Sequence, residues 1–215
     1  MTITLKRSSV ALAALFVFSF SFATPALAGP PLICHPFDTG GGRLISWGPG
    51  PSWNAPLANY DLKNLVADTT AVLTADAPVL TRMENIRRAS IYAMRDPVVA
   101  HDLLKSVMSR AVGATTDARA LFDAGYLIET YKQAAHLRQD RRPESPAWAA
   151  VDQTIRMDGY GWVKKAIAMT GTSAEMEFAA SLMTSDPISS SHRAKALAAA
   201  GKGSLVARNI AKLGY

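Results

Sequence analysis

The sequence has one cysteine, Cys34, in 215 residues. One cysteine cannot close a loop, so no intrachain disulfide holds this chain and its stability has to come from packing. Cys34 is left as a free thiol, a ligand, or half of an intermolecular bond. No CxxC, HxxxH or CxxCH occurs, which leaves out a zinc ribbon and a covalently attached haem. GxSxG, a phosphate loop and a dinucleotide fingerprint are missing as well. The run Gly40-Gly41-Gly42 does not open a helix after a strand, so it is a poor phosphate cradle. Beyond residue 28 there is no apolar stretch of the roughly 20 residues that a membrane-spanning helix needs.

What is present begins with a targeting pattern. Lys6 and Arg7 form a positive start, Val10 to Phe22 an apolar run interrupted only by serine, and Ala26-Leu27-Ala28 a small-x-small triad. This is the order of a secretory signal peptide, expected to be cleaved after Ala28. Pro31-Leu32-Ile33 lacks the small residue that precedes a lipidated cysteine. The expected location is therefore periplasmic or extracellular, with no stable membrane anchor after cleavage. Residues 1–28 carry two basic side chains and no acidic one, so the formal net charge of +6 falls to +4 without them. The charges are scattered rather than striped, and nucleic acid is not expected as a partner.

Residues 29–58 differ from everything after them. Proline and glycine oppose a helix there. Yet Leu32, Ile33, Phe37, Leu44, Ile45, Trp47 and Trp53 are too apolar for a solvated linker. The segment reads as an extended arm laid across a helical body, with Leu44 to Trp47 as a short strand.

From residue 59 to 215 the apolar period becomes that of helices. About eight are expected, over 60–74, 76–94, 96–111, 116–137, 146–170, 172–185, 189–201 and 204–213. Their starts are marked by Asp76 with Pro78, by Asp96-Pro97, by Thr115 or Thr116, by Ser145-Pro146, by a Thr172–Glu175 capping box, by the serines at 189–191 and by Ser204. Short links make neighbours antiparallel. The fold class is all-α, arranged either as a degenerate, solenoid-like stack of helical hairpins or as a compact bundle. Gly125 and Gly159 fall in apolar stripes. A helix-interior glycine costs about 1 kcal/mol against alanine, so both are expected to mark tight helix crossings.

The residues with ligand chemistry cluster in the arm: Cys34, His35 and Asp38. Cysteine with histidine suits zinc or copper, so Cys34 and His35 are the metal candidates. Against that, adjacent side chains rarely point at one ion, and a small buried cysteine beside a turn histidine is the plainer reading. His101, His136 and His192 sit near helix starts or ends and carry no motif. Glu175 and Glu177 read as a cap and a surface charge. Met83, Met169, Met176 and Met183 lie on apolar stripes and read as core filling. The charged break at 136–146 reads as an exposed loop, or as a binding loop for an anionic partner through Arg138, Arg141 and Arg142.

The phrases PLICHPFDTGGG, TRMENIRRASIYA, ALFDAGYLIETYKQA and DGYGWVKKAI, in that order, resemble a family of uncharacterised secreted proteins of soil bacteria such as acidobacteria. The resemblance implies secretion and an all-helical body and carries no catalytic role. The functional expectation is an exported helical scaffold that binds a protein or peptide partner, without enzymatic activity or cofactor. The alternative is a metal-binding or redox protein that uses Cys34 and His35.

Overall fold

The computed structural model describes residues 31–113, 116–139 and 145–214. The signal segment with its cleavage point, the first two residues of the arm, the cap assigned to Thr115, and Arg141 and Arg142 of the charged loop lie outside the described residues.

Among the described residues the chain forms ten α-helices and no strand. They are α1 (Pro31–Cys34), α2 (Leu65–Val72), α3 (Val79–Ala93), α4 (Pro97–Gly113), α5 (Ala118–Ala134), α6 (Pro146–Thr154), α7 (Gly159–Thr170), α8 (Ala174–Ser181), α9 (Ile188–Ala200) and α10 (Leu205–Lys212). Two differences separate this from the eight expected. The arm is not wholly helix-free: Pro31 opens the four-residue α1, which buries Leu32 and Ile33. And 146–170 is not one helix. Asp158 leaves helical geometry and its side chain accepts from the Gly161 N–H, so it starts α7 afresh after α6 has ended. Leu44 to Trp47 is not a strand, because it has no strand to pair with and lies on a helix instead.

Several helix starts also shift. Pro78, not Asp76, stands at the cap of α3, and the Val79 N–H is accepted by Glu175 of α8 at 3.0 Å. The proposed capping box therefore does not close on itself: Ser173 caps α8 and Glu175 caps a different helix. Asp117 caps α5 in place of a threonine, and α9 begins at Ile188, ahead of the serines.

α3 and α5 form the centre. α5 packs on α1, α3, α4 and α7; α3 packs on α2, α4, α5 and α8. Every residue of α3 except Arg88 is buried. At the α5–α7 crossing Gly125 and Gly159 meet. A Cβ built on Gly125 would stand 2.5 Å from the Gly159 carbonyl oxygen, and one built on Gly159 2.5 Å from that of Gly125. Only hydrogen fits between these backbones. Among the described residues no helix is long and apolar enough to cross a membrane.

Candidate functional site

α3 is amphipathic in sequence, yet its polar side is not in water. The arm lies over it. Glu84 accepts the Phe37 N–H at 3.0 Å. Asn85 accepts the Ile45 N–H at 2.9 Å and donates to the Arg43 carbonyl at 3.0 Å. Arg87 donates to the carbonyls of Ile33 at 3.2 Å and Trp53 at 2.9 Å, and Arg88 to that of Ile45 at 2.9 Å. The Tyr92 hydroxyl accepts the Leu57 N–H and donates to the Ser46 carbonyl, both at 2.9 Å. An irregular segment cannot satisfy its own backbone groups, and buried ones left unpaired are costly. Here the side chains of one helix satisfy them. Trp47 covers the same side, with the guanidinium carbons of Arg87 and Arg88 at 5.2 and 5.6 Å from its ring centre.

Other elements finish the arm. Gln133 of α5 accepts the Leu32 N–H at 2.8 Å. Asn209 of α10 brackets Asp38, accepting its N–H at 2.8 Å and donating to its carbonyl at 2.9 Å. The glycine run has a packing reason: a Cβ on Gly42 would collide with Thr81 of α3, and Gly40 and Gly41 turn the chain with φ of +64° and +92°.

The three arm residues singled out by sequence do not converge. Asp38 is exposed; its carboxylate accepts from the Gly40 N–H and lies 3.4 Å from Arg208. His35 lines a small pocket with Pro36, Phe37, Asn209, Lys212 and Leu213. Burial, Lys212 and Arg87 all hold its imidazole below the ordinary value, which favours the neutral form. Cys34 is half-buried, and burial pushes its thiol up despite the nearby Arg87. A raised thiol is a weak nucleophile at neutral pH, and cations beside an imidazole repel a metal ion. Among the described residues no three histidine, cysteine, aspartate or glutamate side chains gather as a metal site would require.

Two polar clusters were missed by sequence reasoning. Glu177 is not a surface charge. It is buried on α8 and pairs with Nδ1 of His192 on α9 at 2.5 Å, while Nε2 of His192 lies 2.7 Å from the Tyr160 hydroxyl on α7. In the tautomer whose Nδ1–H donates to the Glu177 carboxylate, Nε2 is free to accept a hydrogen bond from the Tyr160 O–H. Burial and the charges of Glu177 and Asp158 raise the Tyr160 phenol above its ordinary value, which opposes ionisation. The cluster ties α7, α8 and α9 to one another.

The second cluster is the fully buried Asp123 of α5. Arg82 of α3 donates to its Oδ2 at 2.6 Å, and its Oδ1 has no partner among the described residues. Arg82 also donates to the carbonyls of Ala77 and Thr74. Burial outweighs Arg82 and Arg110 and pushes the Asp123 carboxyl up to about 6. Both clusters join residues far apart in the chain, so only the charge-bearing residue types, not their pairing, were there to be read.

Of the methionines assigned to core filling, Met83 and Met176 are buried, but Met169 is 40% exposed. No protein-family model, no curated protein and no solved structure matches this chain.

Proposed function

We propose that the chain is an exported, non-enzymatic helical scaffold whose task is to bind a polypeptide partner. The observation that carries the reading is the arm on α3. Side chains of one helix make eight hydrogen bonds to the backbone of an irregular segment. The body is thus built to hold polypeptide chain by its main chain, the mode by which peptide-binding proteins gain affinity without catalysis. The ionisable groups support the same reading. Their hydrogen bonds are directed at backbone and at one another, and the thiol and phenol that could act as nucleophiles are both raised.

The reading takes the body as a compact bundle rather than a curved hairpin stack. Contacts of α1 with α5 and of α3 with α8 join elements distant in order, whereas a stack keeps its contacts between successive pairs.

Site-specific photo-crosslinking tests the reading. A crosslinking residue is placed in turn at the exposed apolar positions Val98, Val112, Met169, Ile188 and Leu197, in a strain that exports the chain. One discrete adduct with another polypeptide, from some positions and not others, is expected. No adduct from any position would contradict the scaffold reading.

A further inference from the structure

A cleft of about 530 Å³ opens where the first turns of α3, α5 and α8 meet the last turn of α7. That is within the range of ligand pockets. Met169, Met176, Ala77, Pro78, Val79 and Ala118 give it an apolar wall. Its charged lining is Asp76, Asp117 and Glu175 against the single cation Arg119.

Helix starts ordinarily attract anions through their free N–H groups. Here one or two of those groups at each start are already taken. Glu175 accepts from Val79, Asp117 from Arg119 and Ala120 at 2.9 and 3.1 Å, and the Ser173 hydroxyl from Met176 at 3.3 Å. Each capping carboxylate uses one oxygen in this way. Glu175 thus keeps Oε1 and Asp117 Oδ2 outside these caps, and the exposed Asp76 beside them already accepts from the Thr74 side chain and its own N–H. An apolar wall with three carboxylates against one guanidinium at its rim fits a ligand that is aliphatic along its length and cationic at its end.

We propose that this cleft takes a lysine or arginine side chain of a polypeptide partner, an assignment that rests on the scaffold reading above. The alkyl stem lies along Met169 and Met176 while the charged head meets Asp76, Asp117 and Glu175. Met169 is exposed and belongs to no cap, so its charge can be changed without disturbing a helix start.

The test uses the full exported chain with ¹³C-methyl methionine and two capped peptides of equal length, alternating glycine with lysine or glycine with glutamate. The lysine peptide is expected to shift the methyl signals of Met169 and Met176 and leave those of Met83, Met94, Met108, Met157 and Met183 in place. The glutamate peptide is expected to shift none. Met169→Glu should tighten binding of the lysine peptide several-fold and Met169→Arg weaken it by roughly tenfold, the signs set by Coulomb attraction at the rim. Equal response to both peptides, no response to the lysine peptide, or the same affinity in both variants would overturn the assignment. Shifts confined to the other methionines would overturn it too, while leaving the polypeptide-binding reading standing. The crosslinking experiment tests that reading independently.

Discussion

Arg87 and Glu84, one helical turn apart on α3, face each other through two hydrogen bonds of 2.8 Å in the interior, each side chain 1% exposed. Burial works to raise the Glu84 carboxyl, but the hydrogen bonds and charge of Arg87, with Arg88 and the Phe37 N–H, outweigh it and hold the group below its ordinary value. The same guanidinium reaches two arm carbonyls through its remaining nitrogen. One residue therefore neutralises a buried carboxylate and fastens the arm.

Lysine cannot copy that fork. Arg87→Lys is expected to lower unfolding free energy by about 3–5 kcal/mol, as for other broken buried pairs. Arg88→Lys, at an 18% exposed side chain, should lose much less. Urea unfolding gives both numbers. Trypsin gives the location: Arg43 is exposed but its carbonyl is held by Asn85, so cleavage after Arg43 should quicken in Arg87→Lys under native conditions.

The Gly125–Gly159 contact sets two effects against each other. Alanine in a helix gains about 1 kcal/mol over glycine, whereas overfilling a tight contact loses about 1–3 kcal/mol. The obstacle at Gly125 is backbone, which cannot swing aside, so Gly125→Ala is expected to lower the melting temperature and Gly125→Leu to lower it further. Gly113, whose added Cβ would meet nothing within 4 Å, is the control. Gly113→Ala should be neutral or stabilising; the same loss at both positions would dismiss the crossing as the cause.

Asp123 predicts a pH dependence of a defined sign. Its folded value of about 6 lies above the ordinary 3.8. Between these the folded chain keeps a proton that the unfolded chain has released, so this group's contribution to stability falls as pH rises from about 4 to about 6. The change is at most about 3 kcal/mol. Asp123→Asn removes the slope. The variant should therefore lose more stability relative to the parent at pH 4 than at pH 7, as read from urea midpoints across that range.

The arm cluster makes a simple analytical prediction. Elemental analysis of the chain purified without a metal-affinity tag should find no stoichiometric zinc or copper, and Cys34→Ser and His35→Ala should not change the result. A metal present in the parent and lost in both variants would move the function to Cys34 and His35.

The helical class was legible because Leu103, Leu104, Val107 and Ala111 on α4, or Leu121, Ala124 and Ile128 on α5, repeat at helical spacing and are all buried. The division at Asp158 was not, because apolar spacing runs on through the break. The arm was recognised as laid on the body from its Trp and Ile content. What held it could not be read. Asn85, Arg87 and Tyr92 fall off the apolar stripe and look like solvent-facing positions; they are buried only because a segment 34 to 54 residues earlier folds back over them. Glu177 and His192 were misread for the same reason, since a carboxylate and an imidazole fifteen residues apart declare no partner until α8 and α9 pack.

Amide hydrogen exchange of the full chain tests most directly the claim that α3 holds the arm by its backbone. The N–H groups of Phe37, Ile45 and Leu57, which belong to no helix or strand, are predicted to exchange as slowly as those in the middle of α3. Gly41, beside them in the arm and without such a partner, should exchange fast. Fast exchange at all of these positions would contradict the account, because the arm would then not be bound to α3 and the scaffold reading would lose the observation that carries it.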